Sequence, residues 1–89
     1  MLYMTIFSYE PDRRDEVLER AATKGMMMPE GAKMVGAWSA VGGGRVFRVM
    51  DVDDHRIAVQ AARAWSDLGR IEVIPVMDTL ELVQMLGKA

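Results

Sequence analysis

The sequence contains no cysteine and only one histidine. Without cysteine there are no disulfide bonds, thiolate nucleophiles or thiolate metal ligands, and one imidazole is too few for most histidine metal sites. The glycine run Gly42-Gly43-Gly44 lacks the helix and lysine that follow it in a phosphate-binding loop. We therefore expect no metal and no cofactor.

Excess positive charge and long apolar runs are also missing. The net charge is −2, so no basic field is available to hold a phosphate backbone. No segment approaches the roughly 18 apolar residues that span a bilayer, and the first residues lack the pattern of a signal peptide. The sequence thus predicts a cytoplasmic protein with neither a nucleic-acid partner nor a membrane partner.

The composition is that of a small globular protein, with 51% hydrophobic and 27% charged residues in a chain of 89. We interpret residues 1–89 as one domain, because so short a chain cannot support two cores. A domain of this size buries only about 60% of its unfolded surface, so apolar side chains remain that favour self-association.

The hydrophobic pattern predicts the order β-α-β-β-α-β with a short C-terminal helix. This is the ferredoxin-like α+β arrangement, a four-stranded antiparallel sheet with two helices on one face. Glycines 25 and 69 end the helices, where we expect each to adopt a positive φ. The predicted strands are residues 2–9, 33–39, 45–52 and 71–77.

The strands are apolar on both faces, whereas two helices can cover only one. A second copy of the sheet is the simplest cover, which predicts a homodimer whose two sheets close into a barrel. If Ser39 pairs with Arg45 across the hairpin, Trp38 shares a face with Arg48.

Five short motifs occur in this order along the chain: Met28-Pro29-Glu30-Gly31, Ala37-Trp38-Ser39, Arg45-Val46-Phe47, Trp65-Ser66-Asp67-Leu68 and Glu72-Val73-Ile74-Pro75-Val76. Together they resemble a bacterial and archaeal family known only as a domain of unknown function, within the dimeric α/β-barrel superfamily. The resemblance implies a dimer of ferredoxin-like protomers and no particular activity. Distant members of the superfamily include cofactor-independent monooxygenases, haem-degrading enzymes and lactone isomerases, which is analogy of fold only.

Three side chains are candidates for chemistry. Arg48 and Glu72 interrupt apolar strands, where a charge is costly unless paired. In a ferredoxin-like sheet they could converge near Thr5 or Tyr3 and orient a carboxylate or enolate, with Glu72 as a base; an interfacial ion pair or exposed strand edges are the structural alternatives. His55 is the default general base, although beside capping aspartates it is more simply a surface residue.

Aromatic side chains could line a pocket for a flat hydrophobic ligand. The candidates are Trp38, Tyr3 and Trp65, with Thr5 beside them, although Trp65 could simply anchor the second helix. We predict binding of a small apolar or aromatic organic molecule, in a cavity of roughly 300 Å³ or more. Alternatives are a monooxygenase-like or isomerase-like enzyme that needs no cofactor, and a structural or interaction module.

Overall fold

The computed structural model describes residues 1–87. Four strands and three helices follow one another in the predicted order, with a short 3-10 turn (Pro11–Arg13) leading into the first helix. The elements are β1 (Leu2–Ser8), α1 (Arg14–Lys24), β2 (Ala32–Ser39), β3 (Arg45–Val52), α2 (His55–Arg63), β4 (Arg70–Val76) and α3 (Thr79–Gly87).

The strands form a single antiparallel sheet in the order β2-β3-β1-β4. The first strand is therefore central, and each β-α-β unit places its helix on the same face of the sheet. The ferredoxin-like fold class predicted from the sequence is confirmed.

Local sequence explains several boundaries. The Asp54 carboxylate accepts a hydrogen bond from the Arg56 backbone N–H at 2.9 Å and caps α2. Gly25 ends α1 with φ +67°. In the β2–β3 loop, Gly43 and Gly44 adopt positive φ angles of 84° and 85°, which any side chain would oppose.

The end of α2 differs from the prediction. The helix ends at Arg63, and residues 64–68 continue as tight turns that place Trp65 and Leu68 in the core. Gly69 does not adopt a positive φ. Glycine is required there for another reason, since a Cβ would collide with the Ser8 carbonyl oxygen of β1.

The inner face of the sheet carries two adjacent hydrophobic clusters. In both, buried strand residues pack against buried helix or turn residues, and these contacts hold the two layers together. The α1 cluster contains Phe7, Val17, Trp65 and Leu68, and the α2 cluster contains Met50, Val52, Ala58 and Ala61.

The β2–β3 register differs from the expected one. Ser39 pairs with Val46 rather than Arg45, and Trp38 lies opposite Phe47. The ladder extends to a hydrogen bond between the Ala40 N–H and the Arg45 carbonyl, which shortens the loop by one residue. Because side chains alternate along a strand, this shift moves Trp38 to the face opposite Arg48.

The other face of the sheet, which we call the outer face, is largely apolar. It includes Ile6, Phe47 and Val49, and no helix within residues 1–87 buries side chains against it. Helix α3 is apolar as well, yet every one of its residues is exposed. Among the helices of the described chain, none has the length and hydropathy to cross a lipid bilayer.

Candidate functional site

A cavity of about 200 Å³ lies between α1 and the inner face of the sheet. It exists because α1 buries only Val17, so the helix does not fill the space above β3 and β2. Its lining is mainly apolar and aromatic: Phe7, Tyr9, Val17, Leu18, Ala21, Met26, Ala37, Trp38, Ser39, Val46, Arg48 and Trp65.

Among the described residues, Arg48 is the one charged residue of this lining, and only 3% of its surface is exposed. Strand β3 directs it inward opposite Thr5, whose hydroxyl oxygen accepts a hydrogen bond from Nε at 3.3 Å. Nη1 donates to the Met26 carbonyl at 3.2 Å and lies 3.6 Å from the Met28 sulfur. The guanidinium is therefore held in place by neutral acceptors only.

Within residues 1–87, Arg48 has no carboxylate partner, and its Nη2 makes no hydrogen bond. Burial lowers the pKa of the Arg48 guanidinium. An arginine nevertheless stays protonated at neutral pH, because its ordinary pKa lies far above neutrality. The cavity thus contains a positive charge that the described part of the chain does not neutralise.

The Met26 carbonyl joins two side chains in one wall of the cavity lining, Arg48 and Trp65, by hydrogen bonds. It accepts hydrogen bonds from Arg48 Nη1 and from Trp65 Nε1, each at 3.2 Å. The Trp65 ring packs 5.8 Å from the Phe7 ring, measured between centroids. A connector that follows α1 is in this way tied to both the sheet and the turn after α2.

Arg20 and Asp67 support this wall from outside, an arrangement that the sequence did not predict. Two hydrogen bonds of 2.7 Å join the guanidinium to the carboxylate, and Arg20 also donates to the Ala64 carbonyl at 3.1 Å. The hydrogen bonds from Arg20 hold the pKa of the Asp67 carboxyl at about 2. The Arg20 guanidinium also stacks 5.8 Å from the Trp65 ring centroid. Forty-seven residues separate the pair, so no local pattern reveals it.

Of the four predicted ligand-binding residues, Trp65 and Trp38 line the cavity, whereas Thr5 and Tyr3 do not. Trp65 lines the cavity and Thr5, fully buried, positions Arg48. Tyr3 packs instead against the α2 cluster. Trp38 borders the cavity, but its ring lies over Gly36 on the outer side and 59% of the residue is exposed.

Arg48 and Glu72 do not converge, and Glu72 fits the alternative of an exposed residue on an edge strand. Thr5 pairs with Arg48 on one side and with Val73 on the other, so Glu72 is one residue out of phase. Its exposed side chain lies on the outer face, opposite Ile6. The sheet therefore separates the two charges.

His55 is the first residue of α2, with 75% of its side chain exposed. Its Nδ1 lies 3.9 Å from an oxygen of the Asp54 cap, and it does not line the cavity. No group of three acidic or imidazole side chains suited to a metal ion occurs in the described range 1–87. The structure thus places His55 at the surface, apart from the cavity.

Comparison with known proteins gives a family and a fold. A family model described as a domain of unknown function (DUF3303) matches residues 1–89. No curated protein matches the chain. A solved structure from Deinococcus radiodurans, named as a candidate antibiotic biosynthesis monooxygenase, is similar with a TM-score of 0.50 and 10% identity, covering 86% of this chain and 92% of that one. At this identity the likeness concerns the fold alone.

Proposed function

Because this chain belongs to the family described as a domain of unknown function (DUF3303), we propose its function from its own site. The protein binds a small, largely apolar organic molecule in the cavity between α1 and the sheet, and it does so as a homodimer. The observation that carries the proposal is the cavity itself, an apolar and aromatic space with one buried, positioned polar group. That composition is typical of small-molecule sites.

The size of the cavity limits the size of the ligand. At about 200 Å³ it is smaller than the predicted 300 Å³ and below the range of about 300–1,000 Å³ for drug-sized ligands. A compound with one ring, or with a short aliphatic chain, fits this space. Leu18 and Met26, both exposed, lie where the cavity meets solvent and offer an entry route.

The outer face of the sheet supports the homodimer. Residues from three adjacent strands, among them Ile6, Phe47 and Ile74, form an apolar surface with no covering layer in residues 1–87. Small domains expose few contiguous apolar patches of this kind without a partner. A second copy of the same face provides a cover of matching chemistry.

An enzyme is less well supported by the geometry. Glu72, the predicted base, lies across the sheet from Arg48, and the described lining holds no aspartate, glutamate or histidine. General acid–base catalysis most often uses one of these three side chains within hydrogen-bonding reach of the substrate, and the lining offers the Tyr9 hydroxyl instead. An interaction module would use α3, whose exposed apolar residues include Leu80, Val83 and Leu86.

Native mass spectrometry of protein isolated gently from its own host tests the proposal. We expect a dimer that carries a reproducible extra mass of single-ring size. The matched control is Ala21→Leu, expressed in the same host, because the half-buried Ala21 faces the cavity and a larger side chain fills it. This variant should give the dimer without the extra mass.

Other outcomes contradict separate parts of the proposal. A wild-type monomer would overturn the homodimer. A dimer with no adduct that also fails to bind small ring compounds in titrations would overturn the binding function.

A further inference from the structure

The charge inside the cavity indicates what kind of molecule it binds. Arg48 is almost completely buried, and its partners are a hydroxyl, a carbonyl and a thioether, all neutral. A buried cation without an anion is costly, because neutral acceptors replace only part of its hydration. In residues 1–87 no acidic side chain lies in the cavity lining to compensate.

We propose that the ligand is a small monocarboxylic acid, whose carboxylate pairs with Arg48 while its apolar portion occupies the space beside Trp65 and Phe7. This inference rests on the proposed binding function and adds the class of ligand. The carboxylate supplies the missing counter-charge, and its charge-assisted hydrogen bond to the guanidinium is stronger than a neutral one.

The arrangement of the guanidinium supports this assignment. Nε is directed to Thr5 and Nη1 to the Met26 carbonyl, which fixes the plane of the group. Nη2 makes no protein hydrogen bond in the described chain, and Arg48 belongs to the cavity lining. A bound carboxylate oxygen can therefore accept from Nη2 without displacing the contacts to Thr5, Met26 or Met28.

The remaining lining restricts the rest of the ligand. Phe7, Val17, Val46 and Trp65 offer apolar surface, and the volume of about 200 Å³ leaves room for one ring or a short chain. A strongly polar acid would leave its other polar groups without partners against this wall. The ligand class is thus an aromatic or aliphatic monocarboxylate rather than a sugar acid or a phosphate ester.

The test compares matched pairs of acid and amide at pH 7: benzoate with benzamide, phenylacetate with phenylacetamide, and hexanoate with hexanamide. Each pair shares its size and shape and differs in charge. Binding is measured by titration in protein NMR spectra, following the indole N–H of Trp65. We expect at least one acid to bind roughly tenfold or more tightly than its amide, since hydrogen bonds to charged groups exceed neutral ones by that order.

Two variants assign the preference to Arg48. In Arg48→Met the acid should lose roughly tenfold or more in affinity and the amide little, because the apolar lining remains. Arg48→Lys should keep part of the preference, since it retains the charge but not the fixed position of Nη2. If Arg48→Met does not fold, the wild-type comparison and Arg48→Lys still decide the matter.

The outcomes separate the two proposals. Equal affinity of acids and amides for the wild type, with binding lost in Ala21→Leu, would overturn the carboxylate assignment and leave the cavity as a binding site. Failure of all six compounds to bind would overturn the carboxylate assignment together with the binding proposal at this cavity. An acid preference that persists in Arg48→Met would overturn the role of Arg48.

Discussion

The two halves of the inner face differ in how closely a helix packs on the sheet. Helix α2 buries Ala58 and Ala61 against Met50 and Val52, and all four are 1% exposed or less. Helix α1 buries only Val17, and Leu18 remains 57% exposed. The α2 half is therefore a filled core, whereas the α1 half contains the cavity.

Side-chain size and charge explain the difference. Two alanines on one face allow α2 to approach β3 closely, and larger strand residues fill the interface. Beneath α1 lies Arg48, which needs space and polar partners, and the connector carbonyl of Met26 provides one. The polar partners of Arg48 occupy space that closely packed helix side chains would otherwise fill, so the cavity lies in the less tightly packed half.

The largest expected difference between the halves comes from truncation. Met50→Ala should reduce the free energy of unfolding by about 2–5 kcal/mol, because it opens a void in a core that has no exposed surface. The matched change in the other half, Leu18→Ala, should cost less than about 1 kcal/mol, since Leu18 is largely exposed. Urea unfolding at one fixed protein concentration measures both, and similar losses would contradict the distinction between the halves.

The second comparison replaces one alanine in each half with leucine. Ala61→Leu should destabilise the protein by about 1–3 kcal/mol, because the filled core has no room for a larger side chain. Ala21→Leu should change stability by less than about 0.5 kcal/mol, since its added atoms enter the cavity. Thermal unfolding monitored by circular dichroism distinguishes them. A strong loss in Ala21→Leu would mean that the α1 half is also fully packed.

The smallest expected effect concerns pH and the contact that fixes α1. The Asp67 carboxyl has a pKa of about 2 in the folded state against an ordinary value of 3.8, chiefly through hydrogen bonds from Arg20. Because the folded-state pKa of Asp67 is lower than its unfolded-state pKa, the ionised carboxylate stabilises the protein at pH values above the unfolded-state pKa. This contribution disappears as the pH falls from about 4 towards 2. Because the pair is exposed, the change is small.

One variant in each half measures this pH effect. Unfolding free energies between pH 6 and pH 2 should fall less steeply in Asp67→Asn than in the wild type. The matched variant in the α2 half is Asp54→Asn, because the capping carboxyl of Asp54 also has a pKa of about 2 through its hydrogen bonds with Arg56. Hydrogen exchange should show the Asp67 effect in α1 and the Asp54 effect in α2. An unchanged slope in Asp67→Asn would show that the Arg20 pair does not stabilise the fold.

Part of the candidate site was predictable. Arg48 breaks an apolar strand, which indicated a charge that could meet Glu72 near Thr5 or Tyr3, and the structure places Arg48 opposite Thr5. The partner was assigned incorrectly, because Glu72 lies on a strand of the same composition but in the opposite phase. Met26 could not be identified at all, since its carbonyl is a backbone group that any residue would supply.

The β2–β3 hairpin shows why the register of these strands could not be predicted from the sequence. Three consecutive glycines indicate a turn, yet they permit Ser39 to pair with either Arg45 or Val46. The two pairings differ by one residue and place Trp38 on opposite faces. Contacts distant in sequence decide between them, and a bulge near Val35 adjusts the remainder of β2.

The sequence by itself determined the order of the elements, the antiparallel ferredoxin-like fold and the apolar character of both sheet faces, because hydrophobic period, glycine and proline act over a few residues. Tertiary structure alone decided which side of the sheet each strand residue faces. It also decided how far α1 lies from the sheet, and that Arg48 lies in a cavity without a counter-ion in residues 1–87. Those properties depend on strand register and on packing between distant segments, where a shift of one residue exchanges the two faces.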